Sequence, residues 1–98
     1  MTYLEAVAEA IRREVPNEAL PDGDISPLFL GYAVLALAKG ESVTRADVHN
    51  AWVAWMVEKG ESHESMVPFA DLPPDAQAED SPFVLAIRKV AVERLRGL

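Results

Sequence analysis

The sequence predicts an all-α domain, and three observations carry that prediction. Apolar residues recur at helical spacing at both ends of the chain: Leu4, Val7, Ala8, Ile11 and Val15 early, and Phe83, Val84, Ile87, Val90 and Ala91 late. Helix-start signals precede each long apolar segment: Thr2 with Glu5, Ser26-Pro27, Thr44 with Asp47, and Ser81-Pro82. Stop signals follow at Pro16, Gly40 and Gly60. The predicted architecture is one domain over residues 1–98, a small bundle of four main helices plus a short one. An ordered loop at about 61–72 completes it.

Each element has its own reason. In the first helix Thr2 can accept from the N3 amide while Glu5 reaches back, and Pro16 stops the run. Pro21-Asp22-Gly23-Asp24 reads as a turn. Ser26 as N-cap and Pro27 at N1 open the second helix. Its segment Leu28 to Ala38 carries no charge, so this helix should be buried on most faces, with Gly31 admitting a close neighbour. Lys39-Gly40 closes it. Thr44 and Asp47 cap the third helix, whose stripe is Val48, Ala51, Trp52, Trp55 and Met56. The loop carries Met66, Val67, Phe69 and Leu72, which should pack down on the helices. A short helix follows Pro73-Pro74, and Ser81-Pro82 opens the last, with Arg88, Lys89, Arg94 and Arg96 forming its basic exposed side.

Composition removes whole classes of function. Half of the 98 residues are hydrophobic, too many for a disordered chain. Sixteen acids against nine bases give a net charge of -7, which disfavours nucleic acid and anionic membrane surfaces. Absence of cysteine removes disulfides, thiolate nucleophiles and thiolate metal sites. The uncharged run is far short of the roughly 20 residues that span a bilayer. Glu5 and Glu9 interrupt any signal-peptide pattern, so a cytoplasmic location is expected.

The residues with chemistry concentrate between Val48 and Asp80, where both tryptophans and both histidines lie. Trp52 and Trp55, at i, i+3, predict one aromatic face able to stack a planar group. His49 lies one turn before Trp52, His63 can shape the loop, and Glu79-Asp80 precede a helix start. The histidines and nearby acids have no metal-ligand spacing, so no metal is expected. The serines have no nucleophile-elbow context and there is no glycine-rich phosphate loop, so neither catalytic residues nor a cofactor are expected. The third helix has no Arg or Lys between Asp47 and Glu58, which argues against a helix-turn-helix DNA reader.

His49-Asn50-Ala51-Trp52, then His63, Val67-Pro68-Phe69, Leu72 and Asp80, resemble the pattern of the ryanodine-receptor repeat domain. The chain departs from that pattern twice: Glu58 to Glu61 replaces an aromatic segment, and Glu64 replaces a proline. The resemblance implies a small, mostly helical, non-enzymatic module that senses nucleotide-like ligands. The abundance of Ala, Val, Arg and acids is similar to that of small uncharacterised proteins of actinobacteria and their phages.

Two functional expectations follow. The first is a binding module taking a small planar, nucleotide-like ligand or a peptide on a Trp52/Trp55 face, with His49, His63, Phe69 and Asp80 at its edge. The second is a phage- or prophage-related interaction protein, a homodimer that uses the same apolar face as its interface.

Overall fold

The structure, a computed structural model, describes residues 1–95. Helix α1 (Tyr3–Glu14) starts at the expected box: Thr2 Oγ1 accepts from the Glu5 amide at 3.1 Å, and Glu5 accepts from the Thr2 amide at 2.9 Å. Its buried side is Val7, Ala8, Ala10 and Ile11.

Helix α2 (Ser26–Lys39) begins one residue earlier than expected. Ile25 is the N-cap position and makes no side-chain cap, while Asp24 Oδ1 accepts from the Ser26 amide at 3.1 Å. The turn aspartate thus does the work assigned to Ser26. The helix buries Leu28, Phe29, Tyr32, Ala33 and Ala36. It is not buried all round: Val34 and Leu37 are 52% and 43% exposed, leaving an apolar stripe on the outside. Gly31 faces α3 without crowding, since a Cβ there would lie 3.9 Å from Ala51 Cβ, an ordinary contact. Gly40, at φ +55°, turns the chain where a side chain would be strained.

Helix α3 (Arg45–Glu58) carries the second box, with Thr44 and Asp47 capping each other reciprocally. Asp47 also accepts from Lys39 Nζ at 2.8 Å, tying the start of α3 to the end of α2. Gly60 (φ +73°) ends this segment. The 61–72 loop is built from tight turns rather than strand or long helix, with a single 3-10 turn at Phe69–Asp71. Met66 is partly buried and Leu72 buried, as expected, but Val67 projects outward.

Helix α4 (Pro74–Ala78) is short, and α5 (Ser81–Val90) follows it after Asp80. Ser81, like Ser26, is the first helical residue rather than the cap, and Asp80 makes no side-chain cap bond. A π turn, Ala91–Leu95, continues α5. The basic side of α5 is only partly free. Arg88 donates from Nε and Nη2 to the Val43 carbonyl at 3.0 and 2.7 Å, and Lys89 pairs with Glu14 at 2.9 Å. Arg96 lies outside the described residues.

The fold is therefore all-α, with four main helices and one short helix around one core and no strand among the described residues. At the centre, Phe29, Tyr32 and Phe83 form a triangle with ring centroids 5.0, 5.5 and 6.3 Å apart. Such edge-on and tilted contacts add to plain area burial. No helix among them is long and apolar enough to cross a membrane.

Candidate functional site

Helix α3 places His49 and Trp52 one turn apart, so their rings share a face. They stack at 5.8 Å with an interplanar angle of 28°. The loop brings His63 edge-on to Trp52 at 5.6 Å. His49, only 3% exposed, donates from Nε2 to the Val67 carbonyl at 2.6 Å. A carbonyl only accepts, so Nε2 carries a proton and is the donor. This bond anchors the loop to α3. Gln77, on α4, holds its far end by donating to the Phe69 and Leu72 carbonyls at 3.1 and 3.2 Å. His63 fixes its own turn by accepting the Ser65 amide on Nδ1 at 2.9 Å.

These elements enclose a cavity of about 480 Å³ with α2, α5 and the residues after α1. That volume is in the range of small-molecule sites. Trp52 lines it together with the polar residues Tyr32, His49, His63, Glu18, Glu79 and Asp80. No lysine or arginine lines it. Among the described residues, no group of three His, Asp or Glu side chains is arranged to hold a metal ion.

Four of the sequence-predicted site residues, His49, Trp52, His63 and Asp80, line this cavity. Two do not. Trp55 is 6% exposed and belongs to the core, with Lys59 Nζ 4.0 Å above its ring. Sixty degrees of helical rotation separates it from Trp52, enough to put one indole inside and one in the wall. The expected double-tryptophan face is therefore a single-tryptophan wall. Phe69 also lies off the wall, packed 6.0 Å from the His49 ring with the Arg45 guanidinium 5.6 Å from its own.

The sequence reading missed Tyr32. It lies 1% exposed in the aromatic triangle, yet it reaches the cavity. Its signal was available: it is the one hydroxyl in the uncharged run Leu28 to Ala38. Burial, and then the charge of Asp80, hold its phenol far above the ordinary range, so it stays neutral. Asp80 itself is half-buried and pushed up to about 6. Burial is the main cause; Glu79 raises it further, while His49 and Arg45 oppose the shift.

Over residues 2–92 the sequence matches the family described as a domain of unknown function, DUF7701, and the chain belongs to that family. This corrects the resemblance to the ryanodine-receptor repeat, a family that does not match the chain. The motif fragments that carried the resemblance are a histidine and a tryptophan one helical turn apart and a proline-bearing loop, a pattern too short to define a family. No curated protein and no solved structure matches the chain.

Proposed function

We propose that this member of the DUF7701 family is a non-enzymatic binding module whose cavity receives a small planar ligand or a peptide side chain. The observation that carries the reading is the contrast in how the two indoles are used. Trp55 is sealed into the core, whereas Trp52 is left half-buried as the wall of a 480 Å³ cavity. Around it, His49 and His63 are held in fixed orientations by the loop contacts, so the wall is preorganised. Nucleotide-like ligands are set aside. A phosphate would meet Glu18, Glu79 and Asp80 with no lysine or arginine lining the cavity to receive it.

Thermal-shift screening with planar heterocycles and short peptides tests the reading. A native-state binder raises the melting temperature in a dose-dependent way by mass action. The shift should vanish in Trp52→Ala, with helix content retained. A ligand that shifts Trp52→Ala as strongly as the parent protein would sink this site.

A second reading, self-association, is favoured by one specific observation: the exposed Val34 and Leu37 on α2. The surface it uses is this α2 stripe and not the tryptophan wall. Light scattering at high protein concentration separates the two readings. A strict monomer removes self-association and leaves the cavity reading untouched.

A further inference from the structure

We infer that the ligand of this cavity is a planar organic cation of the guanidinium type, held by acceptors on one side and the Trp52 ring on the other. This inference rests on the binding-module reading above and specifies its ligand.

Three observations carry it. First, the deepest polar groups lack partners. The Tyr32 hydroxyl makes no hydrogen bond among the described residues, and neither does His49 Nδ1. No buried side-chain polar atom is both sealed from solvent and unpartnered, so the slight access these two atoms retain is to the cavity their residues line. Both residues are nine-tenths buried or more. The Tyr32 hydroxyl is therefore available to bond a ligand in the cavity.

Second, the cavity is rich in acceptors. Asp80, Glu79 and Glu18 offer carboxylate oxygens. The matching ligand carries several N–H donors and a positive charge. A guanidinium presents five donors in one plane and is weakly hydrated, which suits a partly enclosed site better than an ammonium does.

Third, the neighbouring aromatic rings already have cations and Trp52 does not. Lys59 lies over Trp55 and Arg45 over Phe69. Among the described residues no lysine or arginine lies over Trp52, which lines the cavity together with the carboxylates. Indole is the strongest of the aromatic faces for such contacts.

Agmatine and the capped tripeptide acetyl-Gly-Arg-Gly-amide, each titrated at neutral pH into the 15N-labelled protein, test the inference. Adenine serves as a neutral planar probe and AMP as an anionic one. Both guanidinium probes should give saturable shifts of the Trp52 indole N–H, with affinity weakened about tenfold or more in Asp80→Asn and Glu79→Gln. Tyr32→Phe, which keeps the ring and its packing, should weaken binding by a smaller factor. Comparable affinities identify a free small cation as the ligand, whereas a peptide bound about tenfold more tightly identifies an arginine of a partner chain. Guanidinium binding that is indifferent to Asp80→Asn and Glu79→Gln overturns the inference. Trp52-dependent binding of adenine or AMP without agmatine overturns it while leaving the binding-module reading in place. Failure of both guanidinium probes up to about 10 mM overturns the inference, and the thermal-shift screen then decides the binding-module reading.

Discussion

Trp55 and Trp52 lie less than one helical turn apart on α3, yet they belong to different regions of the molecule. Trp55 is in the core, where helices close on it and Lys59 covers its outer face. Trp52 faces a loop that stands off from the helix and is held there by two hydrogen-bonded pins, His49 to Val67 and Gln77 to the Phe69 and Leu72 carbonyls. The lesson is that the loop, and not the helix, decides which indole becomes a surface. The largest expected effect sharpens this difference. Trp55→Ala should lose about 3–5 kcal/mol of stability, as for other large core truncations. Trp52→Ala should lose no more than about 1–2 kcal/mol, because a half-buried ring gives up less area. Urea denaturation of the two variants measures both. Equal losses would mean that the two regions are energetically one.

The second prediction breaks the pin that keeps the regions apart. His49→Ala removes the donor for the Val67 carbonyl and leaves a partly buried acceptor without its partner, at a cost of about 1–3 kcal/mol. The loop amides of Asp71 and Leu72, now bonded to the Pro68 and Phe69 carbonyls, should exchange faster with solvent. Amides of α1 should exchange at rates altered only by the global loss. Uniform acceleration across the chain would show that the loop and the core open as one unit.

The third prediction concerns charge on the cavity side. Burial raises Asp80 to about 6 in the folded protein, against an ordinary value near 3.8. Between those values the native state binds more protons than the unfolded state, so stability falls as pH rises from about 4 to about 6 and then levels. The groups facing this carboxyl are His49 and Arg45 on α3, neighbouring Glu79, and the neutral Tyr32 phenol on α2. Asp80 is only partly buried, so solvent screening limits the effect to about 1 kcal/mol. Asp80→Asn should flatten that part of the pH profile and stabilise the protein at neutral pH. An unchanged slope between pH 4 and 6 would assign the effect to other groups.

Much of the fold was legible because its signals are local. Both threonine capping boxes, the charge-free second helix and the glycine stops depend on residues within a turn of one another. Both Ser-Pro starts were displaced by one residue; at Ser26 the cause is Asp24, which lies outside the helix and accepts from the Ser26 amide. The site was legible only in part. His49, Trp52, His63 and Asp80 were identifiable as rare or acidic residues in one stretch. Tyr32 was not, because α2 meets that stretch only through tertiary packing. Trp55 was assigned to the wall because i, i+3 spacing fixes proximity but not which side of the helix the rest of the chain covers. The same limit hid the carboxylate of Glu18, which comes from the turn after α1.

The smallest effect concerns the seam where α2 meets α3 beneath these two regions. An apolar helix with a glycine at its middle suggested that two backbones press together at Gly31. The geometry is looser: an added Cβ would meet Ala51 Cβ at 3.9 Å, and no other atom lies within 4 Å. Gly31 has helical backbone and no positive φ, so alanine fits without strain. Gly31→Ala should therefore raise stability by about 0.5–1 kcal/mol, through the helix propensity gained and the freedom removed from the unfolded chain. It should leave the cavity unchanged, because Gly31 is not among its lining residues. A melting-temperature rise with unaltered Trp52 indole resonance is the expected result. A fall would mean that α2 and α3 need a closer approach than 3.9 Å, and that the wall carrying Trp52 moves with the seam.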